Sequence, residues 1–289
     1  MKKIFFLYLL LYTQPGYTQL KSVVIDSLSK AKIPYVNIWV ENENTGTTSN
    51  LEGAFELALE KPKILIFSAI GFQTKRISSE NIGNFVALQP AGIELAEVMV
   101  SAKKQQKRQE LKIGTFKKKE INAYFACSST PWIVARYFAY EEAYAQSPFL
   151  KSIKVLTQSR IGNARFNIRI YRKNSEGAPE GYLYDKNIIG IAKKGKTFTE
   201  LDISDLHLVF PKEGLFIAIE WLIIDENKYE YKYVTEDSNI LKPKWFCIKK
   251  KIKSLKIKII NQENPENHFN LGIKNLTVFF MSHVSVVFL

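Results

Sequence analysis

Phe55-Glu56-Leu57-Ala58-Leu59-Glu60 decides the fold class. Apolar side chains at 55, 57 and 59 alternate with Glu56, Ala58 and Glu60. Only an extended backbone places one such row on a core and the other in water. Working outward, Ile64 to Phe67 is apolar in both rows, as in a central strand covered on both faces. Gly71 interrupts that run, and Phe72 to Ile77 resumes it. Phe85 to Leu88 and Leu95 to Val100 add two more short runs. On the N-terminal side, Val23 and Ile25 start a strand, and Tyr35-Val36-Asn37-Ile38-Trp39-Val40 is rich in strand formers. Asn42 to Asn50, which includes Gly46, reads as a polar turn. Short strands at this spacing, separated by turn residues, predict a β-sandwich over residues 19–100.

Three segments in this order carry a family resemblance: Ile33-Pro34-Tyr35-Val36-Asn37-Ile38, Gly46 to Phe55, and Phe67-Ser68-Ala69-Ile70-Gly71-Phe72. Together they resemble the carboxypeptidase regulatory-like domain. The resemblance implies a small transthyretin-like β-sandwich with no active site of its own. Gly46 and Gly53 suit turns flanking a short strand, because glycine reaches positive φ without a steric cost. The chain departs from the family in the first strand, where Ser22 or Val23 stands in place of a glycine.

Residues 101–112 are charged and nearly free of apolar side chains, which suits a basic linker with room for a short helix. From Ile113 onward strand character returns, and residues 113–289 are read as a second β domain. Ile133 to Tyr140, Ile153 to Leu156, Ile188 to Ala192, Phe198 to Ile203 and Leu215 to Ile224 are its apolar runs. Phe166, Ile168 and Ile170 alternate with Asn167, Arg169 and Tyr171, the period-2 pattern of a strand. Gly177-Ala178-Pro179-Glu180-Gly181 reads as a tight loop. Glu220 lies in a run expected to be central. It either meets Arg165 or Arg169 or faces water, because a lone buried carboxylate is costly. Pro131 to Phe138, Pro148 to Leu150, Phe166 to Tyr171, Gly177 to Pro179 and Phe210 to Leu222 resemble an uncharacterised second domain of exported Bacteroidetes proteins. That resemblance spans about residues 113–235 and implies a jelly-roll-like sandwich, so the whole chain is expected to be all-β. Beyond Lys242 the chain departs from it. Ile252 to Ile260 alternates lysine with apolar residues, like an edge strand blunted by charge. Leu276 to Leu289 is either a closing strand or an altered terminus.

Residues 1–18 have the three-part layout of a secretory signal peptide: Lys2-Lys3, an apolar run from Ile4 to Leu11, then a polar stretch with Pro15 and Gly16. The run is much shorter than the roughly 20 residues that span a bilayer. Cleavage is expected near Thr18 or Gln19. Neither cysteine, Cys127 or Cys247, follows the run as a lipid attachment site requires. The two either form one disulfide or remain free thiols. Localisation is therefore expected in the periplasm or at the outer membrane or cell surface, with any membrane association through a partner. The formal charge is +13, with clusters at Lys103 to Lys119 and Lys242 to Lys258. Export argues against a nucleic-acid partner.

No zinc-protease, nucleophile-elbow or phosphate-loop motif is present, and no cofactor is implied. His207, His268 and His283 are isolated, so no metal ligand set is expected. Asp202, Asp205, Asp225 and Glu226 read as solvated acids near strand ends. The chain is expected to be a non-enzyme. Trp132, Tyr182 and Tyr184 are the binding candidates, because aromatic faces stack on sugar rings. Tyr182 and Tyr184 flank Leu183 and would share a face if extended. Three functions compete. The first is a binding or scaffold module for a glycan, a cell-wall component or an envelope protein. The second is an accessory of a TonB-dependent uptake system, suggested by Glu97 to Val100. The third is an envelope-polymer hydrolase.

Overall fold

The computed structural model describes residues 18–92, 110–115, 117, 133–230, 243–245, 278–280 and 284–288. Among them the chain is all-β, and no helix reaches seven residues. Leu95 to Val100, most of the basic linker, Trp132, both cysteines, Ile252 to Ile260 and the signal-like residues 1–17 lie outside the described residues.

The N-terminal strands are β1 (Thr18–Asp26), β2 (Asn37–Val40), β3 (Gly46–Thr48), β4 (Ala54–Leu59), β5 (Ile64–Ser68), β6 (Lys75–Ser78) and β7 (Phe85–Leu88). They form two sheets, β4-β1-β7 and β3-β2-β5-β6. The strand that decided the fold class behaves as its pattern requires: Phe55, Leu57 and Leu59 are buried, while Glu56 and Ala58 are exposed. Those three side chains join Val24, Ile38, Val40, Leu65, Phe67, Val86 and Leu88 in one core between the sheets. Phe55 meets Phe67 edge-on, with ring centroids 5.6 Å apart. Gly53 leads into β4 at φ +69°, where a Cβ would stand 2.7 Å from the Val24 carbonyl oxygen. One expectation needs correction. The polar segment read as a turn contains a strand, because Gly46–Thr48 pairs with Asn37, Ile38 and Trp39. Thr47 and Thr48 are β-branched and fit a pleated surface despite their hydroxyls.

The second set comprises β8 (Lys112–Ile113), β9 (Ile133–Phe138), β10 (Leu150–Ser159), β11 (Ala164–Lys173), β12 (Pro179–Tyr182), β13 (Ile188–Ala192), β14 (Gly195–Asp202), β15 (Leu215–Trp221), β16 (Lys228–Glu230), β17 (Pro243–Trp245), β18 (Val278–Phe280) and β19 (Val284–Phe288). One sheet runs β14-β10-β19-β8 and the other β12-β11-β15-β9-β18, with β13 also paired to β11. β15 is central, as its apolar run predicts. The apolar C-terminus supplies strands to both sheets: β18 runs parallel to β9, and β19 sits antiparallel to β10. Leu150, Ile153, Val155, Phe166, Ile168, Ile170, Leu215 and Ile217 fill the space between the sheets.

The second row of β11 is buried as well: Asn167 and Arg169 are 0% and 1% exposed. The same holds in β2, where Asn37 and Trp39 point away from their own core and are still buried. Both observations have one cause. The sheet β3-β2-β5-β6 turns its outer face toward the outer face of the sheet containing β11 and β15. Asn37 touches Glu220 there, and the backbone of Thr48 bonds that of Ile223. β15 also ends sooner than predicted. Leu222 and Ile224 leave the sheet to pack on Tyr35.

Candidate functional site

The junction of these outer faces holds a buried set of titratable groups centred on Glu220. β15 places Ile217 and Ile219 toward the core of the second sandwich, so Glu220 must point the other way. Register then sets Asn167 opposite Glu220 on β11, with Arg169 two residues further along the same face. The Arg169 guanidinium grips the carboxylate with two parallel bonds, Nε to Oε2 at 2.8 Å and Nη2 to Oε1 at 2.9 Å. Asn167 donates a third bond to Oε2 at 3.2 Å, and Asn37, from the other sandwich, donates a fourth to Oε1. A carboxylate has about four acceptor positions, and all four are filled.

A second tier fixes these donors. Asn167 also donates to Asn187 Oδ1 at 2.7 Å and accepts from the Ile188 amide at 3.1 Å. The third arm of the guanidinium, Nη1, donates to the Tyr182 hydroxyl at 2.9 Å. The Tyr182 ring lies against Tyr171, centroids 4.9 Å apart. Thr48 Oγ1 accepts from the Ile223 amide at 3.1 Å. At the rim, Arg165 Nη1 donates to the Tyr35 hydroxyl at 3.0 Å. Burial disfavours the charged form of Arg169, but the adjoining Glu220 carboxylate reverses this and raises its pKa well above the ordinary value. Burial pushes the Tyr171 phenol far up as well. Both groups therefore hold their protons throughout the physiological range.

Chemically this is a sealed clamp. Glu220 is 0% exposed and its acceptor positions are filled, so it has no free position for a substrate proton. A buried, fully bonded ion pair contributes little net stability compared with an apolar replacement. Losing one partner, however, costs about 3–5 kcal/mol. Across the junction itself run the Asn37–Glu220, Thr48–Ile223 and Tyr35–Arg165 bonds. Gly71 marks a second close approach: at φ +80°, its absent Cβ would come within 3.3 Å of the Asp185 carbonyl oxygen.

The aromatic binding candidates fare differently. Trp132 lies outside the described residues. Tyr182 is half-buried and belongs to the clamp, while Tyr184 packs against the core of the second sandwich. They do not share a face, because β12 ends at Tyr182 and the backbone bends through Leu183 and Tyr184. Of the two partners considered for Glu220, Arg169 is the one that binds it. Asn37 and Asn167 were missed as clamp residues, although each shows a readable signal: an amide side chain inside an apolar strand run. Asp202 accepts from the amide and hydroxyl of Ser204. Among the described residues no group of three or more His, Cys, Asp or Glu is placed to hold a metal ion. No helix among them is long and apolar enough to cross a membrane.

Asn37 and Gly71 both fall within a stretch that matches a known family model, the CarboxypepD_reg-like domain, over residues 20–100. The first sandwich is a carboxypeptidase regulatory-like domain. The match covers under a third of the chain and leaves Glu220, Arg169 and Asn167 outside it. No curated protein matches the chain. The regulatory-like domain therefore contributes Asn37, Thr48, Tyr35 and Gly71 to the junction, and the second sandwich contributes the ion pair.

Proposed function

We propose that the chain is an exported, non-catalytic binding or scaffold module of a bacterial envelope, with the two sandwiches docked as a single unit. The observation that carries this reading is the burial of the converging titratable groups: Glu220 and Arg169 are 0% and 1% exposed and bonded to each other. Groups spent in this way hold a shape; they do not reach a substrate. The signal-like N-terminus and the resemblance of residues 113–235 to a jelly-roll-like domain of exported Bacteroidetes proteins support the envelope location. The regulatory-like domain is an accessory fold without an active site of its own, which supports the non-enzymatic role. The intended partner is a glycan, a cell-wall component or an envelope protein.

Expression of the full chain in a bacterium, followed by fractionation and N-terminal sequencing, tests the location. Cleavage near Thr18 or Gln19 and recovery outside the cytoplasm are expected. An intact N-terminus on a cytoplasmic protein refutes it. Incubation with purified cell-wall and glycan preparations tests the role: retention of the protein without release of new reducing ends is expected, and sustained release of reducing ends overturns it.

A further inference from the structure

One end of the second sandwich concentrates cations that the clamp does not use. Two loops build it, residues 160–163 between β10 and β11 and residues 193–194 between β13 and β14. Strand pairing sets them side by side. Ser159 lies opposite Gly195, Gln158 opposite Lys196, and Ala164 opposite Ala192, while Ser159 also bridges to Lys194. Paired residues sit about 5 Å apart at Cα, and successive residues 3.8 Å apart. The Cα atoms of Arg160, Lys193, Lys194 and Lys196 therefore fall within about 13 Å of one another. Arg160, Lys193 and Lys194 are exposed, and neither loop contains an acid. No ion pair among the described residues takes up these three cations.

The end is also held in shape. Ser159 Oγ donates to the Ile161 carbonyl at 2.7 Å and accepts from the Ile161 amide at 3.2 Å. Asn163 and Gly195 close the turns at φ 62° and 90°. The Arg160 guanidinium lies over the Tyr229 ring, 5.5 Å from its centroid, which restricts a side chain that would otherwise be free to rotate. Asp225 and Glu226 are the acids of the adjoining turn, and both are exposed. Arg165 and Lys228 flank the same end, so cations outnumber these carboxylates.

We propose that this end is a docking surface for a polyanionic glycan, with Arg160, Lys193, Lys194 and Lys196 reading its sulfate, phosphate or carboxylate groups. A polymer fits better than a small anion. Each exposed contact is weak by itself, so affinity must come from several simultaneous contacts and the release of condensed counterions. Ile191, 52% exposed beside the loops, offers apolar surface to the sugar backbone. The choice of a glycan rests on the proposed envelope location.

The test uses the full chain with sulfated dextran and uncharged dextran as probes, in a salt titration. Tight binding to the sulfated polymer alone is expected. Replacing Arg160, Lys193, Lys194 and Lys196 together with Gln should weaken it at least 30-fold at low salt and flatten the salt slope by about 3. A matched variant with Lys21, Lys30, Lys32 and Lys61 changed to Gln should shift it less than 3-fold. The milder Lys193→Gln, Lys194→Gln pair, both in an exposed turn, serves if the fourfold variant unfolds and should weaken binding about 5-fold. Wild-type affinity in the loop variants, or equal losses in the control, overturns the proposal. Absence of any binding to the sulfated polymer overturns it too, yet leaves the envelope reading standing. Tighter binding to single-stranded DNA of equal charge overturns the glycan assignment.

Discussion

Replacing Glu220 with Gln removes one negative charge and changes the side-chain volume very little. Its consequences follow from the bonds around it. Arg169, 1% exposed, loses its counter-charge while remaining cationic. The new amide also presents a donor to a site where every neighbour donates, namely Arg169 Nε and Nη2, Asn167 and Asn37. Breaking a buried pair by removing one partner costs about 3–5 kcal/mol. With a urea slope near 2 kcal/mol per molar, the unfolding midpoint should fall by about 1.5–2.5 M. Equilibrium urea unfolding followed by tryptophan fluorescence measures it. The companion variant sharpens the logic. Arg169→Met combined with Glu220→Leu removes both charges, leaves only neutral groups (amides and the Tyr182 hydroxyl) short of partners, and should cost less than Glu220→Gln alone. A loss below about 1 kcal/mol for Glu220→Gln, the scale of a surface pair, refutes the clamp. A double variant less stable than the single one refutes the assignment of the cost to an orphaned charge.

Asn37→Ala removes a bond from the regulatory-like domain to a charged group in the other sandwich. It should cost about 1.5–3 kcal/mol and raise hydrogen exchange in β11 and β15, far from it in sequence. Exchange increases confined to β2 and β5 would count against coupling between the sandwiches. Ser22→Ala should stabilise the chain by about 1 kcal/mol, because Ser22 Oγ is buried without a partner; thermal melting checks this. Gly53→Ala should destabilise by at least about 2 kcal/mol, since positive φ and the nearby Val24 carbonyl both oppose a Cβ; urea unfolding reads it. Asp26 accepts from the Leu28 amide and the Ser29 hydroxyl, which lower its pKa below 3.8. Its folded pKa is depressed, so its contribution is fully present above the unfolded value and disappears as pH falls through the folded one. Asp26→Asn should therefore flatten the acid limb of stability below about pH 4.

The regulatory-like sandwich was the most legible part of the sequence. Phe55, Leu57 and Leu59 show their period directly, and Gly53 announces the turn before them. β3 was half legible: the resemblance set a short strand between Gly46 and Gly53, but Gly46 belongs to the strand and not to a turn before it, and threonines between polar residues look alike in a turn and at an edge strand until a partner strand is known. The junction was half legible. Glu220 inside an apolar run demanded a donor, and Arg169 was one of two candidates. The choice between Arg169 and Arg165 depends on register, which pairs Glu220 with Asn167 and leaves Arg169 within reach on the same face. Tyr182 and Tyr184 were misjudged as a pair because their spacing assumes an extended backbone that ends at Tyr182.

Period-two alternation, glycine turns and the ordered family motifs are local properties, so the sequence alone was enough to determine an all-β chain beginning with a regulatory-like sandwich. A strand pattern can say that a row of side chains is polar; it cannot say what lies across from that row. Asn37 and Glu220 are 183 positions apart in the chain, and Arg169 is buried only because two sheets meet face to face. That contact, and the clustering of cations from two separate loops, depended on which surfaces came together, and only the tertiary structure decided it.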